Sequence, residues 1–175
     1  SRETGAENLE VRLIADNSVG DGFYNNNGWL QECPDPMTKL TWDNAILISP
    51  ALADVLGFDT KNGDFLIGGV SKKEANFKRG REESRIANLT VGGVTISGPV
   101  HIQPGLDDWT VVVPLGYGRK MVGRVGKGTG FNAYPLTHSS DGLIRNGGKL
   151  VISERIYRLA NTQEHWSMEG RALFR

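Results

Sequence analysis

Apolar positions along the chain fall in short, β-branched runs, each soon closed by Gly, Pro, Asn or Asp. That pattern predicts strands joined by tight turns and leaves no room for a long helix. The predicted strands are Leu9–Ile14, Ala45–Ile48, Phe65–Ile67, Ala87–Val91, Val94–Ile96, Val100–Ile102, Thr110–Val113 and Leu150–Tyr157. In Val91-Gly92-Gly93-Val94 the paired glycines supply the positive φ angles of a two-residue hairpin, so the flanking strands should pair antiparallel.

One helix interrupts the strands, from Pro50 to Leu56. Ser49 suits its N-cap, Pro50 the first position, where a missing N–H costs nothing, and Gly57 its left-handed stop. Leu52, Val55 and Leu56 share a face that should cover the end of a sheet or barrel. Asn62-Gly63-Asp64 then turns into the strand at Phe65. This strand, helix, turn and strand are too compact for a Rossmann crossover, and a small barrel with crossing loops fits better. A weaker echo runs from Val100 through Pro104-Gly105 to Val113, which suggests a pseudo-duplicated barrel. The stretch Ser71 to Ser84 mixes Lys, Arg and Glu and reads as a solvated excursion. Asn25 to Asn44 has little periodicity but holds Trp29, Trp42, Pro34 and Pro36. It reads as a long ordered loop held by its aromatic residues, touching either its own barrel or a ligand or neighbouring domain.

Composition narrows the function. The chain has 175 residues, 38% of them hydrophobic, and 20 basic side chains balance 20 acidic ones. One core of ordinary size is expected, with no need of disulfides or a structural metal. Zero net charge removes the electrostatic case for nucleic acid as an obligate partner. No apolar run is long enough for a membrane helix, so direct insertion is not expected. Cys33 is the only thiol and makes neither an internal disulfide nor a metal site unaided. His101, His138 and His165 lack metal-like spacing.

Glycines at 116, 118, 123, 126, 128 and 130 invite a phosphate-loop reading, yet the regular motifs fail. A P-loop ending at Gly126-Lys127 meets Met121 where glycine is needed and Gly128 where Ser or Thr is needed; the dinucleotide fingerprint from Gly116 also meets Met121. These glycines are either turn residues or a backbone lining a ligand groove. His138-Ser139-Ser140-Asp141 holds hydrolase residue types, but neighbours in sequence cannot form a triad, and it reads as a polar turn. Asn88-Leu89-Thr90 fits a glycosylation acceptor, a pattern common by chance.

The segment Asn27-Gly28-Trp29-Leu30-Gln31-Glu32 through Pro36, with Thr38 to Asn44, resembles the C-terminal part of the molybdopterin-type subunit of alternative complex III and related quinol-oxidising complexes. Ile48-Ser49-Pro50-Ala51-Leu52 through Leu56-Gly57, then Asn62-Gly63-Asp64, is similar to the signature of molybdopterin-dinucleotide-binding domains. Pro104-Gly105, Pro114 to Gly118 and Gly128-Thr129-Gly130-Phe131-Asn132 resemble that domain's later landmarks. Thr162 to Arg171 resembles the junction toward the family's iron–sulfur domain, placed at 160–175.

The resemblance covers almost the whole chain. It implies mainly β structure with short helices, in the form of a double-psi β-barrel, one domain over 1–175 excised from a longer chain. By the same resemblance Asn132 is the first candidate for contact with a molybdopterin guanine dinucleotide, with Gly128, Thr129 and Tyr117 beside it and Trp29 and Gln31 on a pterin-facing loop. Iron–sulfur clusters would lie only in the remainder of the chain. Partners would be the parent chain's other domains and the subunits of a membrane-bound respiratory complex, on the periplasmic side. No catalytic residue is expected within these residues. The chain departs from cofactor-loaded relatives at Gly28-Trp29-Leu30-Gln31-Glu32, where many carry a Gly-Thr-Met-Thr-Arg-like grip. Glu32 repels diphosphate where an arginine would pair with it. This implies a barrel retained as a scaffold; the alternative is an active enzyme whose barrel binds the cofactor.

Overall fold

The computed structural model describes residues 4–58, 81–139 and 142–162. The predicted strand Phe65–Ile67, the turn at 62–64, most of the charged stretch at 71–84, Ser140-Asp141 and residues 163–171 of the proposed junction lie outside them. Within them the chain is mainly β, with short helices. In order the elements are β1 (Leu9–Ile14), α1 (Gly28–Glu32), β2 (Leu40–Thr41), β3 (Ile46–Ile48), α2 (Pro50–Val55), β4 (Arg81–Val91), β5 (Val94–Ile102), β6 (Thr110–Pro114), a 3₁₀ turn (Tyr134–Leu136) and β7 (Ile144–Asn161).

The strands form one mixed sheet in the order β1-β6-β3-β5-β4-β7-β2, and a further β7–β1 pairing closes six of them into a ring. Closure removes free edges from those six strands. Two pairs are parallel, β1 with β6 and β3 with β5; the others are antiparallel. Exchanging β1, β3, β4 with β5, β6, β7 maps every ring pairing onto one of the same sense, with β3–β6 and β4–β7 mapping onto themselves. The internal repeat therefore divides the chain between β4 and β5. The sequence echo instead aligned the β3–α2 unit with the β5–β6 unit, which sets one element out of phase.

Alternation fixes the interior. Leu9, Val11 and Leu13 of β1, Ile46 and Ile48 of β3, and Val111 and Val113 of β6 all join one buried cluster. Leu52 and Ala53 of α2 cover it, as the apolar helix face predicts. Ser49 Oγ caps α2 by accepting from Leu52 N at 3.0 Å and donates to Asp108 O at 2.9 Å. The residues between these inward positions, Leu47 and Val112, pair across β3 and β6 and point to the outside. They too are only 8% exposed, because a second cluster of Leu40, Ala45 and Leu159 with Leu106 covers that outer face.

Several boundaries differ from the sequence reading. The two strands predicted at Val94–Ile96 and Val100–Ile102 are one strand, continuous through Gly98-Pro99, where the Phe131 ring occupies the space a side chain at Gly98 would need. β4 starts in the charged stretch because Arg81 to Ser84 pair with Tyr157 to Ala160 of β7. β7 runs longer than predicted, its first residues pairing with β1 and its last with β2. The Gly92-Gly93 hairpin is present, with φ of 56° and 82°.

Candidate functional site

Parallel pairing of β1 with β6 sets the location of the candidate residues. The register ends at Ile14 opposite Pro114, so the segments after both strands leave from one end of the barrel. β3 runs antiparallel to β6 and therefore begins at that end, which brings Asp43 and Asn44 beneath both segments.

Side-chain amides knit the two segments together. Buried Asn44 donates from Nδ2 to Pro114 O at 2.8 Å and Phe131 O at 3.1 Å, and its Oδ1 accepts from Phe131 N at 2.9 Å. Asn25, also buried, donates to Gly116 O at 3.0 Å, and Gln31 Nε2 donates to Asn25 O at 2.9 Å. Asn26 Oδ1 accepts from Val125 N and Gly126 N at 3.1 and 3.2 Å. Asn27 caps α1 by accepting from Trp29 N and Leu30 N. The glycines complete this packing. A Cβ on Gly126 would overlap Asn25 Oδ1, and one on Gly118 would overlap the backbone of Phe131 and Asn132. Asn25 Oδ1 and Gln31 Oε1 are buried without a hydrogen-bond partner among the described residues.

Two depressions flank Tyr117-Gly118. The first is a mostly apolar cleft of about 280 Å³ on the outer face of β3 and β6, lined by Leu40, Leu47, Leu106, Val112 and Tyr117 with Asp16, Asp35 and Asp43. The second is an open groove of about 680 Å³ lined by Asp21, Phe23, Gly118, Arg119, Lys120, Met121, Asn132 and Tyr134. Among the described residues the cleft contains three carboxylates and no Lys or Arg, and the groove two cations and one carboxylate.

Each carboxylate of the cleft is held differently. Asp43 accepts from Gly130 N at 2.7 Å and from Tyr157 Oη at 3.0 Å, yet burial dominates and raises its pKa above the usual carboxylate value. Burial also pushes Asp35 upward, but bonds from Thr38, Asn17 and Met37 outweigh it and leave the pKa lowered. Asp16 Oδ1 accepts from Ser18 N, Val19 N and Tyr117 Oη. Burial, and then the Asp16 charge, raise the Tyr117 phenol, which stays a protonated donor. Tyr157 is pushed up to about 12 by burial and then by Asp43.

The structure brings the six sequence candidates to one end of the barrel but not into one depression. Tyr117 lines the cleft and Asn132 the groove, where Asn132 Oδ1 accepts from Tyr134 N. Thr129 ties its own loop together, donating from Oγ1 to Gly126 O while its carbonyl accepts from Gly118 N. Gly128 sits exposed at φ 80°. Gln31 is buried beneath the loop, whereas Trp29 is 87% exposed on α1 and is packed into neither buried cluster of the described residues. The Asn25 to Asn44 segment is tied down by amides, with Trp29 exposed and Trp42 half-buried, and contains a helix and a short strand. Sequence reasoning passed over Asp16, Asp43, Asn44, Arg119 and Lys120. The continuous apolar runs Ala45–Ile48 and Thr110–Pro114 were the available signal, since a strand apolar on both faces is covered on both.

Among the described residues no group of His, Cys, Asp and Glu is placed to hold a metal ion. No helix there is long and apolar enough to cross a membrane. The groove offers a phosphate-bearing ligand Arg119, Lys120 and Asn132 together, but the amides of Asn25, Asn26 and Asn44 are already engaged with backbone. No protein-family model and no curated protein matches the sequence.

Proposed function

We propose that this chain is a double-psi, molybdopterin-dinucleotide-binding-like barrel of an iron–sulfur oxidoreductase subunit of the alternative complex III kind. It serves respiratory electron transfer on the periplasmic side of a membrane complex as a scaffold that holds neighbouring domains. The ring of six strands with two exchangeable parallel pairs supports the double-psi reading. The observation that supports the scaffold role is the amide network that ties these loops to one another. The groups that would grip a dinucleotide from these loops, Asn25, Asn26, Asn44 and the N–H groups of Gly126 and Gly130, bond to one another's segments instead. With most of these amide groups bonded to neighbouring backbone, the loops at the barrel end hold one another in place.

One observation favours a second reading, a barrel that binds molybdopterin guanine dinucleotide in an active enzyme: the groove that places Arg119 and Lys120 beside Asn132. Arg119 Nη1 donates to Gly22 O at 2.6 Å, whereas Lys120 is exposed and has no ion-pair partner among the described residues. Substituting Asn132→Ala and Lys120→Glu in the full-length protein, purified within its complex, separates the two. The scaffold role predicts unchanged electron-transfer activity and assembly. Loss of activity together with loss of releasable pterin would establish the second reading instead.

A further inference from the structure

We propose that the cleft on the outer face of β3 and β6 binds a small organic ammonium, a primary amine carried on one ring or a short alkyl stem. This site is separate from the Asn132 groove and does not depend on the cofactor question. Its floor is formed by Leu47 and Val112, which face away from the barrel interior and are still only 8% exposed. Leu40 and Leu106 wall it, and the enclosed volume of about 280 Å³ is near the lower end of small-molecule sites, roughly 300–1,000 Å³. An apolar stem fits such walls, because burying its surface is favourable and leaves no polar group unpaired.

Charge specifies the polar end of the ligand. Asp16, Asp35 and Asp43 all line the cleft, and among the described residues no Lys or Arg lines it. Two of the three carboxylates have both oxygens engaged: Asp35 with Asn17, Met37 and Thr38, and Asp43 with Gly130 and Tyr157. Asp16 differs. Its Oδ1 takes three donors, while its Oδ2 has no hydrogen-bond partner among the described residues. That oxygen of the half-buried carboxylate is open to an ammonium, which offsets a cleft of one sign of charge; an anion meets repulsion from all three carboxylates.

The test is an amide-shift NMR titration of this chain with benzylammonium chloride, alongside benzyl alcohol and phenylacetate as neutral and anionic counterparts of similar shape. Benzylammonium should give saturable shifts at Ala45, Leu47, Leu106 and Val112, benzyl alcohol should bind roughly tenfold more weakly, and phenylacetate should not bind. Asp16→Asn keeps the Oδ1 acceptor and should weaken benzylammonium roughly tenfold while leaving benzyl alcohol unchanged. Equal affinity for amine and alcohol, saturable shifts elsewhere, or no saturable shifts would overturn the proposal. Should Asp16→Asn lower the melting temperature, the three-ligand comparison on the unsubstituted chain decides alone.

Discussion

Asn44 commits its side chain to three bonds with the backbone of Pro114 and Phe131. Truncation to Ala leaves buried groups unpaired and should cost about 2–3 kcal/mol in urea unfolding; a loss within error of zero would mean that water replaces the amide freely. Trp29 is the opposite case. A packed Trp costs about 3–5 kcal/mol on truncation, but this one is 87% exposed. Trp29→Ala should therefore leave the isolated chain's stability within about 0.5 kcal/mol, as thermal melts will show. Tyr157 makes stability depend on alkaline pH. Its pKa rises from 10.0 to about 12 on folding, so its contribution is intact below pH 10 and is lost as pH climbs toward 12. Tyr157→Phe should flatten the fall of the urea midpoint across that window, and an unchanged slope would remove the Asp43 bond from the account. Nothing local in the sequence marks these roles. Asn44 is 70 residues from Pro114, and no periodicity links an amide to so distant a carbonyl.

Elements were legible where pattern and punctuation agree. β1 occupies the predicted Leu9–Ile14, and α2 begins at Pro50 after its Ser49 cap, since the cap is a property of adjacent residues. Ser49 also reaches Asp108 in the segment before β6, which no helix rule foresees. Ser49→Ala should cost about 1–2 kcal/mol by chemical denaturation, and the cost should vanish if the cap alone does not matter. The hairpin between β4 and β5 needs left-handed backbone at Gly93, φ 82°. Gly93→Val should lose about 1–2 kcal/mol, and an unchanged melting curve would contradict the assigned turn. The sequence failed where pairing, not pattern, makes the strand. Arg81 to Ser84 are strand because β7 lies alongside, and Glu83 meets Arg158 at 3.1 Å across that ladder. α1 escaped notice because it is a five-residue helix set by a single Asn27 cap within polar, aperiodic text.

At the scale of the molecule, the short β-branched runs indicated mainly β structure and a small barrel. They could not give the strand order, because that depends on which runs pair across more than a hundred residues, as β1 does with β7. The proposed scaffold role rests on that order. The order brings the segments after β1 and β6 to one end, where side-chain amides tie them together. The candidate residues were legible only as a neighbourhood. Tyr117, Gly128, Thr129 and Asn132, grouped by the resemblance, lie at one end of the barrel, but Tyr117 and Asn132 line different depressions, which no pattern in the sequence reveals. The most direct test of the scaffold claim is the molybdenum content per chain, with pterin fluorescence after oxidative release, of the full-length protein purified from its native host. The account predicts iron without molybdenum or pterin. Close to one molybdenum per chain, with pterin released in proportion, would contradict it and make the groove beside Asn132 the cofactor's seat.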